Sequence, residues 1–509
     1  MGKPENELMS EVLSTHPQPE LGKILVTGAT GYIGGQLMPA LLARGYKVRV
    51  MVRAPSPEYR DRWEKAEVVV GEALDPGQLD AAMKGIDTAY FLIHSLLLGP
   101  DKLESTEITM AMNFRKAAEK TGVRRIIYLG GLGDEQVISS AHLKSRMAVA
   151  EELQRGPVPV TILRAAIIIG AGSAPYEILH HLVRRLPVIP IPTWAHTQCQ
   201  PISIRDVILY LIGVLETQET QGQSYDIGGP DILSYKEMIA IMARRQGRKR
   251  WLIPFPPLPI RLTSYIVSLL TPVPHAITWC LMESVGNRVI CRNRAIREVI
   301  PFEPLPYRSA LLLAMTRDEQ DRIRSRWSDA YPPAWELAIK LHELTTPPRF
   351  FTEYSLLTGK SASALFQSIC RIGGDEGWFD SNWLWRLRGL LDRLLMGVGT
   401  SRGRRNQTEL RTNDVLDFWR VEVLEPDAVL LLRAEMKLPG LAWLKFIIEP
   451  AGYQNRLRVQ AYFHTDSVWG ILYWYACLPF HLFIFRNMIE QIERRSSADP
   501  SPVIPVKDT

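Results

Sequence analysis

Residues 28–34 read Gly-Ala-Thr-Gly-Tyr-Ile-Gly, and the spacing of these three glycines constrains the chain more than any other feature. The apolar run Ile24, Leu25, Val26 precedes them and a helical pattern follows, so the segment reads as a strand, a tight turn and a helix start. Glycine here lets the backbone turn sharply and approach a pyrophosphate, whose charge then rests on the amides and positive dipole end of the next helix. A Cβ would hold the phosphate off. Gly28, Ala29, Thr30, Gly31, Tyr32, Ile33 and Gly34 are therefore candidate cofactor-binding residues of a dinucleotide-binding unit. Pro39 falls inside the first helix, where it removes a hydrogen bond and is expected to kink the axis.

From residue 21 to about 250 the pattern alternates strand and helix, with strands at 23–27, 47–53, 67–70, 88–94, 125–130, 160–169 and 224–227 and helices such as 105–121 and 143–154. That order predicts an α/β Rossmann domain, a doubly wound parallel sheet with helices on both faces. The second strand ends in Arg53. An acidic residue there would bond the ribose 2′-hydroxyl of NAD, whereas arginine offers a planar fork for a 2′-phosphate. NADP is the expected cofactor, with NAD as the alternative.

Residues 251–345 are rich in proline and otherwise helical, and read as a connector packing on its neighbours. Residues 346–495 follow a different order: a strand at 350–354, helices at 361–370 and 382–395, four strands, then an aromatic helix from 468 to about 494. Within 456–465, Leu457, Val459, Ala461 and Phe463 alternate with Arg458, Gln460 and Tyr462, so one face is buried. This is the order of an α+β helix-grip fold, in which a sheet wraps the last helix. Seven of the thirteen tryptophans lie here, between Trp378 and Trp474, as a wide aromatic core or as the lining of an apolar ligand pocket. Residues 1–20 and 496–509 read as disordered tails.

The formal charge of +6 is small for 509 residues, and the one dense basic run, 244–250, has no interleaved aromatics. It reads as a solvated helix end, so no nucleic-acid partner is expected. Five scattered cysteines form no Cys-x-x-Cys pair, which suggests neither zinc nor a disulfide framework and fits a reducing, cytoplasmic setting. Two uncharged stretches, 262–282 and 467–485, have spanning length. Pro272 and Pro274 break the first and Pro479 interrupts the second, which favours buried helices, with peripheral membrane attachment as the intermediate reading.

Several motifs together resemble the atypical short-chain dehydrogenase/reductases, close to the NmrA-like and YbjT-like proteins. They are the Gly-x-x-Gly-x-x-Gly of residues 28–34, Gly71-Glu72-Ala73-Leu74-Asp75, residues 163–170 and 200–207, and Ile227-Gly228-Gly229-Pro230. His94-Ser95, residues 269–274 and, further on, residues 384–393, 417–421 and 473–475 resemble a two-domain subgroup whose C-terminal part is thought to be START- or polyketide-cyclase-like. The resemblance implies an adenine contact at Ala73 and Leu74. It also implies a Ser after the fifth strand and a Tyr-x-x-x-Lys, and the chain departs from both: it has Gly130-Gly131-Leu132-Gly133 and His142-Leu143-Lys144-Ser145-Arg146.

His142 then stands where the family has its proton donor and would titrate near neutrality, with Arg146 to bond ribose hydroxyls. His94 and Ser95 face the same crevice by fold logic. The expected activity is NADPH-dependent reduction of a small, apolar substrate. A sensor that binds NAD(P)H without turnover and a carrier of a lipid or quinone are the alternatives.

Overall fold

The computed structural model describes residues 13–53, 59, 62–94, 100–133, 140–319, 325–329, 339–374, 377–378, 382–399, 404 and 410–496. The chain divides into two compact units, residues 1–333 and 334–509.

In the first unit, strands β1 Lys23–Thr27, β2 Lys47–Val52, β3 Glu67–Val70, β4 Thr88–Phe91, β5 Arg125–Gly131, β6 Val160–Ala165 and β7 Ser224–Ile227 form one sheet in the order β7-β6-β5-β4-β1-β2-β3. Every pairing is parallel. Strands covered on both faces need side chains that are apolar on both, hence continuous runs such as Ile24-Leu25-Val26. One face is covered by α1 Tyr32–Ala43 and α6 Ile204–Glu216, through Leu37, Leu41, Val207 and Leu211. On the other, Leu79 and Met83 of α2 Pro76–Met83, Phe114 and Ala118 of α3 Pro100–Thr121 and Val149 and Leu153 of α4 Ala141–Gln154 share one core with Phe91 and Ile126. The strand order reverses between β1 and β4, the switch point at which such sheets hold nucleotides.

Pro39 lies inside α1, as expected, and the helix runs on to Ala43. Four local expectations are corrected. The strand β4 stops at Phe91, and β6 stops at Ala165, after which the separate pair Ile168–Ile169 bonds to Ile202–Ser203. Residues 13–18 are not a tail: Leu13 is in the core, Thr15 Oγ1 donates to Glu216 Oε2 at 2.6 Å, and Gln18 Nε2 donates to the Glu216 carbonyl at 2.9 Å. The cause is the buried Glu216 carboxylate at the end of α6, which also takes bonds from Arg44 and Tyr46.

The fourth correction concerns the proline-rich segment, which as far as residue 333 is part of the first unit and not a separate connector. Helices α7 Tyr235–Arg245, α8 Ile260–Leu270, α9 His275–Ser284 and α10 Tyr307–Glu319 join α5 Ala174–Arg185 in a second core, where Val267, Ile277 and Leu311 meet Tyr176, Val183 and Met238. Pro272 and Pro274 lie between α8 and α9.

In the second unit, β8 Phe350–Thr358 is followed by α11 Ala362–Ile369 and α12 Asn382–Leu394. Five strands come next, one more than expected: β9 Val415–Leu416, β10 Trp419–Glu425, β11 Val429–Ala434, β12 Leu441–Ala451 and β13 Gln454–His464. The sheet order is β8-β13-β12-β11-β10-β9, antiparallel throughout. Its buried face carries Leu444, Phe446, Leu457 and Val459 against Leu365 and Ile369 of α11 and Phe485, Met488 and Ile492 of the final helix, α13 Val468–Arg495. The two arms of α13, Val468–His481 and Phe483–Arg495, meet at 44°, and Pro479 lies within the first arm. Among the described residues no single helix is long and apolar enough to cross a membrane. Of the seven tryptophans, five are buried; the rings of Trp378 and Trp385 meet at 4.9 Å, tilted by 34°, and Trp378 Nε1 donates to Asp417 at 2.8 Å. Trp383 and Trp469 are exposed.

Candidate active site

The three glycines of the loop after β1 have different reasons to be glycine. Gly28 has φ +70°, and a Cβ there would lie 2.5 Å from the Leu92 carbonyl oxygen, so both conformation and space exclude a side chain. A Cβ on Gly34 would lie 2.4 Å from the Gly28 carbonyl oxygen. The protein's own packing accounts for these two. Gly31, the residue before α1, has φ −76° and would meet only the Gly28 carbonyl oxygen, at 3.2 Å. Its lack of a side chain leaves space at a helix N-terminus, which suits a phosphate held by backbone amides. Tyr32 points away from that space: its hydroxyl is buried beside Ser173 and against Gly170, and burial pushes its pKa up.

The loop after β3 is held by Asn113 of α3, whose Nδ2 donates to the Ala73 and Leu74 carbonyls at 3.3 and 3.2 Å. The Ala73 methyl is buried in one core with Leu25 and Met51, whereas the Leu74 side chain is exposed. Arg53 is exposed just beyond β2. Arg49 on the same strand is committed to the Ala82 and Lys84 carbonyls and to Glu67.

The segment 92–94 that touches the Gly28 turn leads directly into a cluster of imidazoles. His94 Nδ1 lies 2.7 Å from Glu107 Oε1, and His94 Nε2 lies 3.2 Å from His142 Nε2. His142 Nδ1 lies 3.3 Å from Ser284 Oγ, which lies 2.9 Å from Ser140 Oγ. Ser145 Oγ donates to the second Glu107 oxygen at 2.8 Å. These residues come from four places: the segment just past β4, α3, the first two turns of α4 capped by Ser140, and the last turn of α9. With Glu107 ionised, His94 gives its Nδ1 proton to Glu107 and His142 gives its Nε2 proton to the lone pair on His94, leaving His142 Nδ1 to accept; the Ser284 hydroxyl is shared between that nitrogen and the Cys280 carbonyl, 3.1 Å away.

Both histidines are held neutral. Burial, His94 and Arg146 lower the His142 pKa to about 3, outweighing Glu107. Burial also lowers His94, opposed by Glu107 and assisted by Arg146. Both shifts run against the expectation that His142 titrates near neutrality. Arg146 is corrected too, because it is buried, donates to the Leu129 carbonyl and lies 4.7 Å over the Tyr128 ring. Its guanidinium acts on the histidines electrostatically and is not presented as a ribose ligand. His94 keeps 27% of its side chain exposed, so the cluster opens outward. Ser95 lies outside the described residues.

Glu107 and Ser284 escaped the sequence reading. A signal existed for the first: Leu103, Glu107, Met110, Ala111 and Phe114 form the buried stripe of α3, and a carboxylate in an apolar stripe needs donors. Ser284 carried none. The remaining family-like motifs act as staples: Gln200 joins the Gly229 carbonyl to the Cys291 amide, and Asp206 accepts from the Leu305 amide and Arg205. Among the described residues no group of His, Cys, Asp and Glu could hold a metal ion.

A parallel sheet in this order with a glycine loop at its switch point defines a nucleotide-binding Rossmann domain. Residues 28–181 match the family described as NAD(P)H-binding, and residues 347–488 match the family described as a protein of unknown function, DUF2867. Over those residues the first unit is similar to NAD(P)H-binding proteins. The chain is 26% identical over 243 residues to NADH dehydrogenase [ubiquinone] 1 alpha subcomplex subunit 9 of Arabidopsis thaliana, covering 45% of this chain and 60% of that protein. It is 22% identical to the photosystem II assembly factor Ycf39 of Trieres chinensis (48% and 75% covered) and 30% identical to the ceramide reductase of Caulobacter vibrioides (33% and 54%).

Proposed function

We propose that the first unit binds NADPH in preference to NADH and reduces a small, apolar, electrophilic substrate beside His94 and His142. One observation carries the reading: a neutral, fully oriented imidazole pair sits just past β4, the strand whose following segment abuts the Gly28 turn. Gly31 and the amides opening α1 would hold the pyrophosphate, Leu74 would border the adenine, and Arg53 would take the 2′-phosphate. A reduced nicotinamide bound there supplies a hydride.

His142 donates its Nε2 proton as a hydrogen bond to the substrate oxygen, exchanging His94 for that acceptor. A neutral imidazole can polarise a carbonyl in this way. Glu107 and Ser284 fix the tautomer, and Arg146 keeps the pair uncharged. After hydride transfer the product alkoxide takes the His142 Nε2 proton, which solvent then restores, so that His94 and Glu107 keep their protonation states.

The missing Tyr-x-x-x-Lys supports a second reading, a binding protein that senses NAD(P)H without turnover. The relatives' names divide the same way, into a reductase on one side and an assembly factor and a complex subunit on the other. The element order of the second unit supports a helix-grip, START-like fold there, and with it an apolar ligand. Mixing the full-length protein with NADPH and a panel of quinones and aldehydes tests the leading reading. His142→Ala should slow oxidation roughly a hundredfold with NADPH affinity unchanged. Tightly bound NADPH that no acceptor oxidises in the wild type would leave the sensor.

A further inference from the structure

The basic run 244–250 and the apolar segment that follows it take no part in the site described above. Residues Trp251–Pro254 pair in parallel with Val188–Ile191, placing Trp251 beside Val188 and Ile253 beside Pro190. Residues paired this way point to the same side. Ile189 and Ile191 are buried, whereas Val188 is 41%, Trp251 72%, Ile253 44% and Phe255 40% exposed. A ribbon with one wet face ordinarily alternates polar outward and apolar inward. This one is apolar on both faces. The chain then passes through Pro256, Pro257 and Pro259 into α8, which exposes Leu262 and Ile266.

Both strands of the ribbon are preceded by cations. Arg184 and Arg185 end α5, just before Val188; Arg244 and Arg245 end α7, and Arg248, Lys249 and Arg250 lead into Trp251. Arg250 Nε donates to the Val183 carbonyl at 2.6 Å, which fastens the two groups of cations together. Residues 238–282 contain no Asp or Glu. Helix dipoles explain arginines in the last turns of α5 and α7, but not the exposed aromatic ribbon beside them. A protein partner would be expected to meet some acidic residues here as well as basic ones.

We propose that this face docks on an anionic phospholipid surface, with Trp251, Ile253 and Phe255 entering the headgroup boundary and Arg184, Arg244, Arg245, Arg248 and Lys249 held by lipid phosphates. Indole and phenyl rings suit that boundary, and each cation near it adds to the attraction. The docking is independent of the cofactor reading.

The test is sedimentation of the full-length protein with phosphatidylcholine vesicles, with and without a minority of phosphatidylglycerol. Binding should require the anionic lipid and weaken at high salt. Arg248→Gln with Lys249→Gln should lower partition about 25-fold, at roughly fivefold per charge, and Trp251→Ser with Phe255→Ser at least about tenfold. Both double variants should keep the wild-type melting temperature and NADPH affinity. Equal binding to neutral vesicles, no binding to either kind, or binding that survives both variants overturns the proposal. So does a concentration-dependent dimer that the Trp251/Phe255 variant dissolves, since that result assigns the face to a second copy of the chain.

Discussion

The glycine turn and the imidazole cluster are neighbours in space and opposites in construction. The turn is made of backbone, uses seven consecutive residues, and serves through what it lacks. The cluster is made of side chains from four elements, and its ends, His94 and Ser284, are 190 residues apart in sequence. A site of the first kind is set by local conformation, whereas one of the second kind exists only after the tertiary fold has formed. The two should therefore fail differently when mutated.

The largest contrast is within the turn itself. Gly31→Val should weaken NADPH binding at least about a hundredfold, by filling the space kept for the pyrophosphate, with little change in melting temperature. Gly34→Ala should instead destabilise the fold by about 1–3 kcal/mol, because its Cβ runs into the Gly28 carbonyl. Fluorescence titration and thermal melts on both variants separate these outcomes. Equal loss of stability in the two would show that Gly31, too, is there for packing.

In the cluster, Glu107→Ala leaves the buried donors of His94 and Ser145 without an acceptor and should cost about 1–3 kcal/mol in chemical denaturation. It should also free the tautomers, so that turnover falls along with stability. Loss of one without the other would mean that Glu107 does not orient His94.

A smaller effect is expected from pH. Because the folded pKa of His142 is lowered to about 3 from 6.5, the unfolded chain takes up its proton first as pH drops. The stability His142 contributes is complete above about pH 6.5 and is lost as pH falls from there toward about 3. His94, His181 and His481 are lowered as well, so the informative measurement is the difference between wild type and His142→Asn, which should have the flatter stability profile. Turnover should be level between about pH 6 and 8. A rate that titrates near pH 7 would restore the acid role that the sequence suggested for His142.

The mildest change concerns Arg53. Its replacement by Ala should erase a roughly tenfold preference for NADPH over NADH while leaving the fold untouched, as calorimetry with both nucleotides would show. Equal affinities in the wild type would remove Arg53 from the site.

What could be read from sequence follows the same division. Strands β1, β3 and β7 and the alternation of β13 follow from short-range periodicity, and the glycine loop from backbone requirements that seven residues express completely. His94 and His142 were visible as residues in suspicious places. Their protonation was not, because it depends on Arg146, on burial and on the contact between the two rings, none of which has a local signature. Ser284 lay in a segment whose prolines suggested a linker, when those prolines in fact end helices that pack against α5 and α7. The Ala73 methyl could not be told from a ligand contact until α3 was seen to hold its carbonyl. Residues 13–18 looked polar and unstructured because the carboxylate they satisfy, that of Glu216, lies some two hundred positions away.

That last feature has a consequence for how the protein is made. The Thr15 hydroxyl bonds to a residue 201 positions later in the chain, so at cellular elongation rates of ~5–20 residues per second the N-terminal segment leaves the ribosome roughly 10–40 s before its partner is synthesised. Through that interval Leu13 and the backbone around Thr15 have no native place to go, and the first helix must form beside an unfinished sheet. Closure of this strap onto Glu216 then marks the moment at which α6 has docked, which makes an N-terminal tag a reporter of late assembly rather than an inert handle.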